Sequence, residues 1–88
     1  EMTNQETPVL VEFWAPWCVY CRRISPALDR MDQASEVKIA KINIDEQIEI
    51  AQRFRVMTIP TFMAFKNGEA VGKQIGAVPK SALLDLVR

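Results

Sequence analysis

The amino-acid sequence predicts an α/β fold in the order β-α-β-α-β-β-α. Three observations carry that expectation. A short, almost continuous apolar run lies near the start, apolar residues at helical spacing follow it, and Asn67-Gly68 separates two strand-like segments. A run that is apolar on successive residues, rather than alternate ones, suits a strand buried on both faces, as in a parallel sheet. Asn-Gly between strand-like segments is the strongest short hairpin signal, because a tight primed turn needs positive φ at both central residues.

Taken in order, Pro8-Val9-Leu10-Val11-Glu12-Phe13-Trp14 is the first strand, and Ala15-Pro16-Trp17 breaks it. From Cys18 to about Gln33, Ile24, Leu28 and Met31 recur at the spacing of one helix face. Pro26 sits inside that pattern and predicts a kink, since it lacks the N–H of a helical bond. Val37 to Asn43 alternates with period two and ends at a plausible turn, Asn43-Ile44-Asp45. Glu46 to Phe54 reads as a short helix. The first two strands and the helix between them form a βαβ unit, expected to be right-handed. Thr61 to Phe65 is the third strand, and Glu69 to Ile75 returns antiparallel to it. Gly76-Ala77-Val78 then leads to Pro79, suited to open a last helix holding Leu83, Leu84 and Val87. The expected sheet is four-stranded and mixed: two parallel strands and a hairpin, flanked by helices.

The 88 residues suit a single domain, 1–88, with no internal repeat or low-complexity linker. Eleven basic residues balance eleven acidic ones and form no block. That argues against nucleic-acid binding and against a role at a membrane surface. No apolar run approaches the roughly 20 residues that span a bilayer. No basic segment leads into an apolar stretch at the N-terminus, so a cytoplasmic location is the expectation.

Two cysteines and no histidine narrow the chemistry. A bridge between Cys18 and Cys21 closes a tiny loop and would add little by loop-closure entropy, so a structural staple is the weaker reading. A self-contained zinc site needs about four Cys or His ligands. Redox chemistry remains, beside a metal half-site shared between two chains or a pair of buried structural thiols. If Cys18 caps the helix and Cys21 completes its first turn, both thiols share one face at disulfide range. The free N–H groups and partial positive charge of the helix start then favour a Cys18 thiolate, with Arg22 and Arg23 adding positive charge. Cys18, the outer thiol, should attack a substrate disulfide, and Cys21 should resolve the mixed disulfide.

The segment Val11-Glu12-Phe13-Trp14-Ala15-Pro16-Trp17-Cys18-Val19-Tyr20-Cys21 resembles the active-site segment of the thioredoxin family. The likeness continues through Pro26, Ile39 to Asp45, Thr58-Ile59-Pro60-Thr61, Phe65 to Glu69 and Gly76-Ala77, nearly the whole chain in the family's order. It implies a thioredoxin fold and an enzyme that exchanges a dithiol for a disulfide with protein substrates, most simply as a reductase. The rivals are a disulfide oxidase or isomerase, and a non-enzymatic module holding metal through its thiols across a dimer. A recycling reductase or oxidant is implied as partner, no bound cofactor is needed, and a monomer is expected.

Residue by residue, the resemblance makes Ile59-Pro60 a cis-proline site beside the dithiol, where the backbone of Ile59 could pair with an extended substrate segment. Glu12 stands where the family carries a buried aspartate, so it becomes the candidate base for Cys21; Lys41 matches that acid's lysine partner. Trp17, Ile59, Pro60, Gly76 and Ala77, with Val78 beside them, are expected to ring Cys18 as a docking patch. Three departures stand out. Glutamate is one methylene longer than aspartate, which changes its reach to Cys21. Val19-Tyr20 replaces Gly-Pro between the cysteines and leaves room for a more oxidising pair. The family's first strand and helix are missing before Pro8, and seven leading residues cannot replace them. The strand at 37–43 is therefore predicted to be a sheet edge, where Lys38 and Lys41 discourage edge pairing, although an edge-to-edge dimer is an alternative.

Overall fold

The computed structural model describes residues 8–34 and 37–87. The expectation concerning the seven leading residues lies outside that range. The described chain forms β1 (Val9–Trp14), α1 (Val19–Gln33), β2 (Lys38–Asn43), α2 (Ile48–Arg53), β3 (Thr61–Lys66), β4 (Glu69–Ile75) and α3 (Lys80–Leu86). The strands make one sheet in the order β2-β1-β3-β4. β1 runs parallel to β2 and antiparallel to β3, and β3 and β4 form the hairpin through Asn67-Gly68. Both turn residues take positive φ, 53° and 82°.

Among the described strands, β2 lies at one edge of the sheet. Its even-numbered residues turn their N–H groups inward, since Lys38 N donates to Pro8 O and Ile44 N to Trp14 O. The odd-numbered ones face outward, and Asp32 from α1 accepts from the N–H of Ile39 at 3.1 Å. A side chain thus occupies part of the open edge.

Strand alternation divides the core in two. Leu10, Phe62 and Ala64 pack with Leu28 and Met31 of α1 and Leu83 of α3. Val11, Phe13 and Met63 face the opposite way, against Ile50 and Phe54 from the α2 region. Pro26 lies within α1, which continues through it. The residue lacking an N–H is exposed, as is Arg22, whose carbonyl would have received that bond.

The second helix is shorter than the sequence pattern suggests, starting at Ile48 rather than Glu46 and ending at Arg53. The N–H groups of Glu46 and Gln47 both return to the carbonyl of Asn43, closing a turn instead. At the other end Arg55 takes a left-handed φ of 57°, which ends the helix after Phe54. Pro79 caps α3 from outside rather than forming its first helical residue.

Candidate active site

The strand registers bring four loops to one end of the sheet. Trp14, the last residue of β1, pairs with Asn43, the last of β2. Phe13 pairs with Thr61, the first of β3, which in turn pairs with Ile75, the last of β4. The turn carrying Cys18, the Asn43–Gln47 turn, the approach to β3 and the exit from β4 therefore converge.

Cys18 is the N-cap of α1: its backbone is extended, and its Sγ accepts from the N–H of Cys21 at 3.2 Å. The Cys18 N–H is itself held by the carbonyl of Ala15 at 3.1 Å. Cys18 and Cys21 form a disulfide with Cα atoms 5.3 Å apart. Both cysteines are well covered in this state, Cys18 retaining 8% of its residue surface and Cys21 only 2%. The outer cysteine is therefore still the more accessible, by a narrow margin.

Beneath Cys21, Glu12 is buried in the centre of β1, and its Oε2 has no hydrogen-bond partner among the described residues. Burial raises its carboxyl from the ordinary 4.5 to about 7. The charge of Lys41 opposes that rise, and the charge of Asp29 adds to it. Glu12, Cys21, Ser25, Asp29 and Lys41 share the walls of a cavity of about 400 Å³.

Lys41 stands beside Glu12 in the strand register and its charge acts on that carboxyl, but its hydrogen bonds go elsewhere. Its Nζ donates to Ser25 Oγ at 2.7 Å and to Asp29 Oδ1 at 3.1 Å, not to Glu12. Lys41 reaches Glu12 only through its field. The physical reason is access: the ammonium stays at the solvent rim, where Asp29 is more than half exposed, while Glu12 lies below. Ser25 and Asp29 are a helical i, i+4 pair, a spacing visible in the sequence, but the strand they face is not.

The docking-patch residues occupy the same end of the sheet. Trp17 is exposed, and its indole N–H donates to Asp45 Oδ2 at 3.0 Å. The Ile59–Pro60 peptide bond is cis. Pro60 is buried and Ile59 half-buried. The N–H of Gly76 donates to the carbonyl of Pro60 at 2.7 Å, and Gly76 takes φ of 91° with open space where a Cβ would stand. Ala77 is exposed. Two participants went unnoticed in the sequence. Asp45 reads there as a turn residue, and Tyr20 as a departure between the cysteines, yet the Tyr20 hydroxyl donates to the carbonyl of Val78. Neither contact has a local signal, because 28 and 58 residues separate the partners.

A disulfide at a helix mouth, with a buried carboxyl behind the inner sulfur, defines a dithiol–disulfide exchange protein on an α/β scaffold. The thioredoxin family model matches residues 1–88. The chain is 49% identical over 85 residues to a thioredoxin of Porphyra purpurea, covering 94% of this chain and 79% of that one. It is 48% identical over 84 residues to a chloroplastic M-type thioredoxin of Zea mays, covering 93% of this chain and 50% of the relative. Among solved structures, an asparagine-to-glutamine variant of thioredoxin from Halobacterium salinarum superimposes with a TM-score of 0.87 at 31% identity, over 98% of this chain and 76% of that chain. The chain belongs to the thioredoxin family and is a thiol–disulfide oxidoreductase.

Proposed function

We propose that the chain reduces disulfides in protein substrates, with Cys18 as nucleophile and Cys21 as resolving thiol. The observation that carries the reading is the position of Cys18 Sγ at the cap of α1, accepting from the N–H of Cys21. A thiolate there gains a hydrogen bond and the positive end of the helix dipole.

In the reduced protein the Cys18 thiolate attacks one sulfur of the substrate disulfide. A mixed disulfide forms, and the other substrate sulfur leaves as a thiolate. Glu12, ionised, takes the proton of Cys21 across the shared cavity. The Cys21 thiolate then attacks Cys18 Sγ, forming the Cys18–Cys21 disulfide and releasing the second substrate thiolate. Two electrons pass from the protein to the substrate, and a recycling reductase must return them. A carboxyl raised to about 7 suits this role, since it exchanges protons readily near neutrality. In this reading Trp17, Ile59, Pro60, Gly76 and Ala77 form the docking patch, and an extended substrate segment pairs with the backbone of Ile59. The direction of electron flow is supported by the named relatives, all thioredoxins. A reducing compartment, such as cytoplasm, fits that direction; no helix among the described residues is long and apolar enough to cross a membrane.

Insulin reduction driven by dithiothreitol tests the assignment. Cys18→Ser should abolish turnover, and Cys21→Ser should accumulate a mixed disulfide at Cys18. Full turnover by Cys18→Ser would overturn it. Equilibration with glutathione tests the direction: a potential below about −230 mV supports a reductase, and one near −120 mV or so marks an oxidant.

A further inference from the structure

Gly76, Ala77 and Val78, between β4 and the N-cap of α3, have no ladder or helix to hold them, and they carry the outer wall of the docking patch. Two hydrogen bonds fix them from opposite sides. At one end the Gly76 N–H donates to Pro60 O. At the other the Tyr20 hydroxyl donates to Val78 O, across 58 residues of sequence. Ala77, between the two anchors, is exposed.

The second anchor is a direct tie from this wall to α1. The peptide joining Val78 to Pro79 has no N–H, so the Val78 carbonyl is its sole hydrogen-bonding group. Pro79 is the N-cap of α3 and makes no side-chain cap bond that would otherwise fix the start of that helix. The Val78 side chain packs on the core, the proline ring limits rotation of the peptide, and the Pro79 carbonyl accepts from the Ala82 N–H at 3.0 Å, but none of these ties the wall to α1. Tyr20 supplies the constraint, and it stands on the first turn of α1, between the two cysteines. The hydroxyl therefore ties the wall directly to the turn that carries Cys18.

We propose that Tyr20 is a positioning residue for protein substrates: through the Val78 carbonyl it sets the distance between the Gly76–Val78 wall and Cys18. The dipeptide between the cysteines then shapes the docking groove as well as the dithiol. This rests on the proposed reduction of protein disulfides, and it makes a separable prediction. An extended protein segment must fit between the wall and Cys18, whereas a small aromatic disulfide such as DTNB reaches Cys18 without engaging the wall.

Tyr20→Phe keeps the ring and removes the hydroxyl. With insulin as substrate and dithiothreitol as reductant, the half-saturating insulin concentration should rise about three- to tenfold, the usual size of one lost hydrogen bond. The maximal rate should stay within about twofold, and the single-turnover rate at which the pre-reduced protein, freed of dithiothreitol, reduces DTNB should be unchanged. An unchanged half-saturation for insulin would overturn the proposal. So would an equal slowing with insulin and DTNB, which would place the hydroxyl's effect on the dithiol itself. Failure of the underlying reading would show elsewhere, as insulin turnover retained by Cys18→Ser.

Discussion

The two faces of the sheet differ in how completely they are closed. On one, α1 and α3 lie over β1 and β3, and Leu10, Leu28, Phe62, Ala64 and Leu83 have no exposed surface. On the other, α2 is the one described helix, six residues long. There Val9, Val11, Phe13, Ala40, Ile42 and Phe54 border an open apolar groove of about 350 Å³. The ionisable group of the site belongs to the closed face. Leu10 and Glu12 point the same way along β1, so the carboxyl sits beneath α1, on the side where the core excludes water. Burial of the carboxyl beneath α1 is therefore what turns Glu12 into a group that titrates near neutrality.

The largest expected effect tests the closure itself. Phe62→Ala, on the closed face, should lower stability by about 3–5 kcal/mol, because packing on both sides prevents collapse of the cavity. Ile42→Ala, on the groove, should cost about 1 kcal/mol. Urea unfolding of both variants decides, and equal losses would erase the distinction between the faces.

A smaller effect concerns Glu12. Its folded pKa of about 7 lies above the ordinary 4.5, so the folded protein holds this proton more tightly than the unfolded chain does. The contribution is complete below about pH 4.5, declines as pH rises towards 7, and changes no further above it. The whole span is worth roughly 3 kcal/mol. Glu12→Gln should remove that decline, seen as the difference between wild-type and variant urea midpoints from pH 4 to about 8. A constant difference across the range would show a carboxyl with ordinary titration, and the base role would go with it.

The smallest effect sharpens the site. Asp29→Asn breaks an exposed ion pair with Lys41 and should change stability by less than about 0.5 kcal/mol. The Asp29 charge holds the Glu12 pKa up, so its removal should lower that pKa, as followed by NMR titration of the Glu12 carboxyl. A pKa that stays or rises would show that the two carboxyls do not communicate.

Much of this molecule is legible in its sequence, wherever the signal is local. The apolar run of β1, the helical spacing of Ile24, Leu28 and Met31, the Asn67-Gly68 turn and the Cys18–Cys21 spacing each sit within a few residues. Backbone geometry turns such patterns directly into strand, helix, turn and cap. The end of α2 shows where local pattern stops sufficing: Glu46 and Gln47 suit a helix, yet their N–H groups are taken by the Asn43 carbonyl.

By itself, then, the chain determines its elements, their order and the pairing of the two sulfurs. Only the assembled sheet decides that Lys41 binds Asp29 and Ser25 rather than Glu12, that Asp45 holds Trp17, and that Tyr20 reaches Val78. The reason is one of range. A hydrogen bond forms within about 3 Å, and partners many residues apart come that close only after strand register has brought their loops to the same end of the sheet.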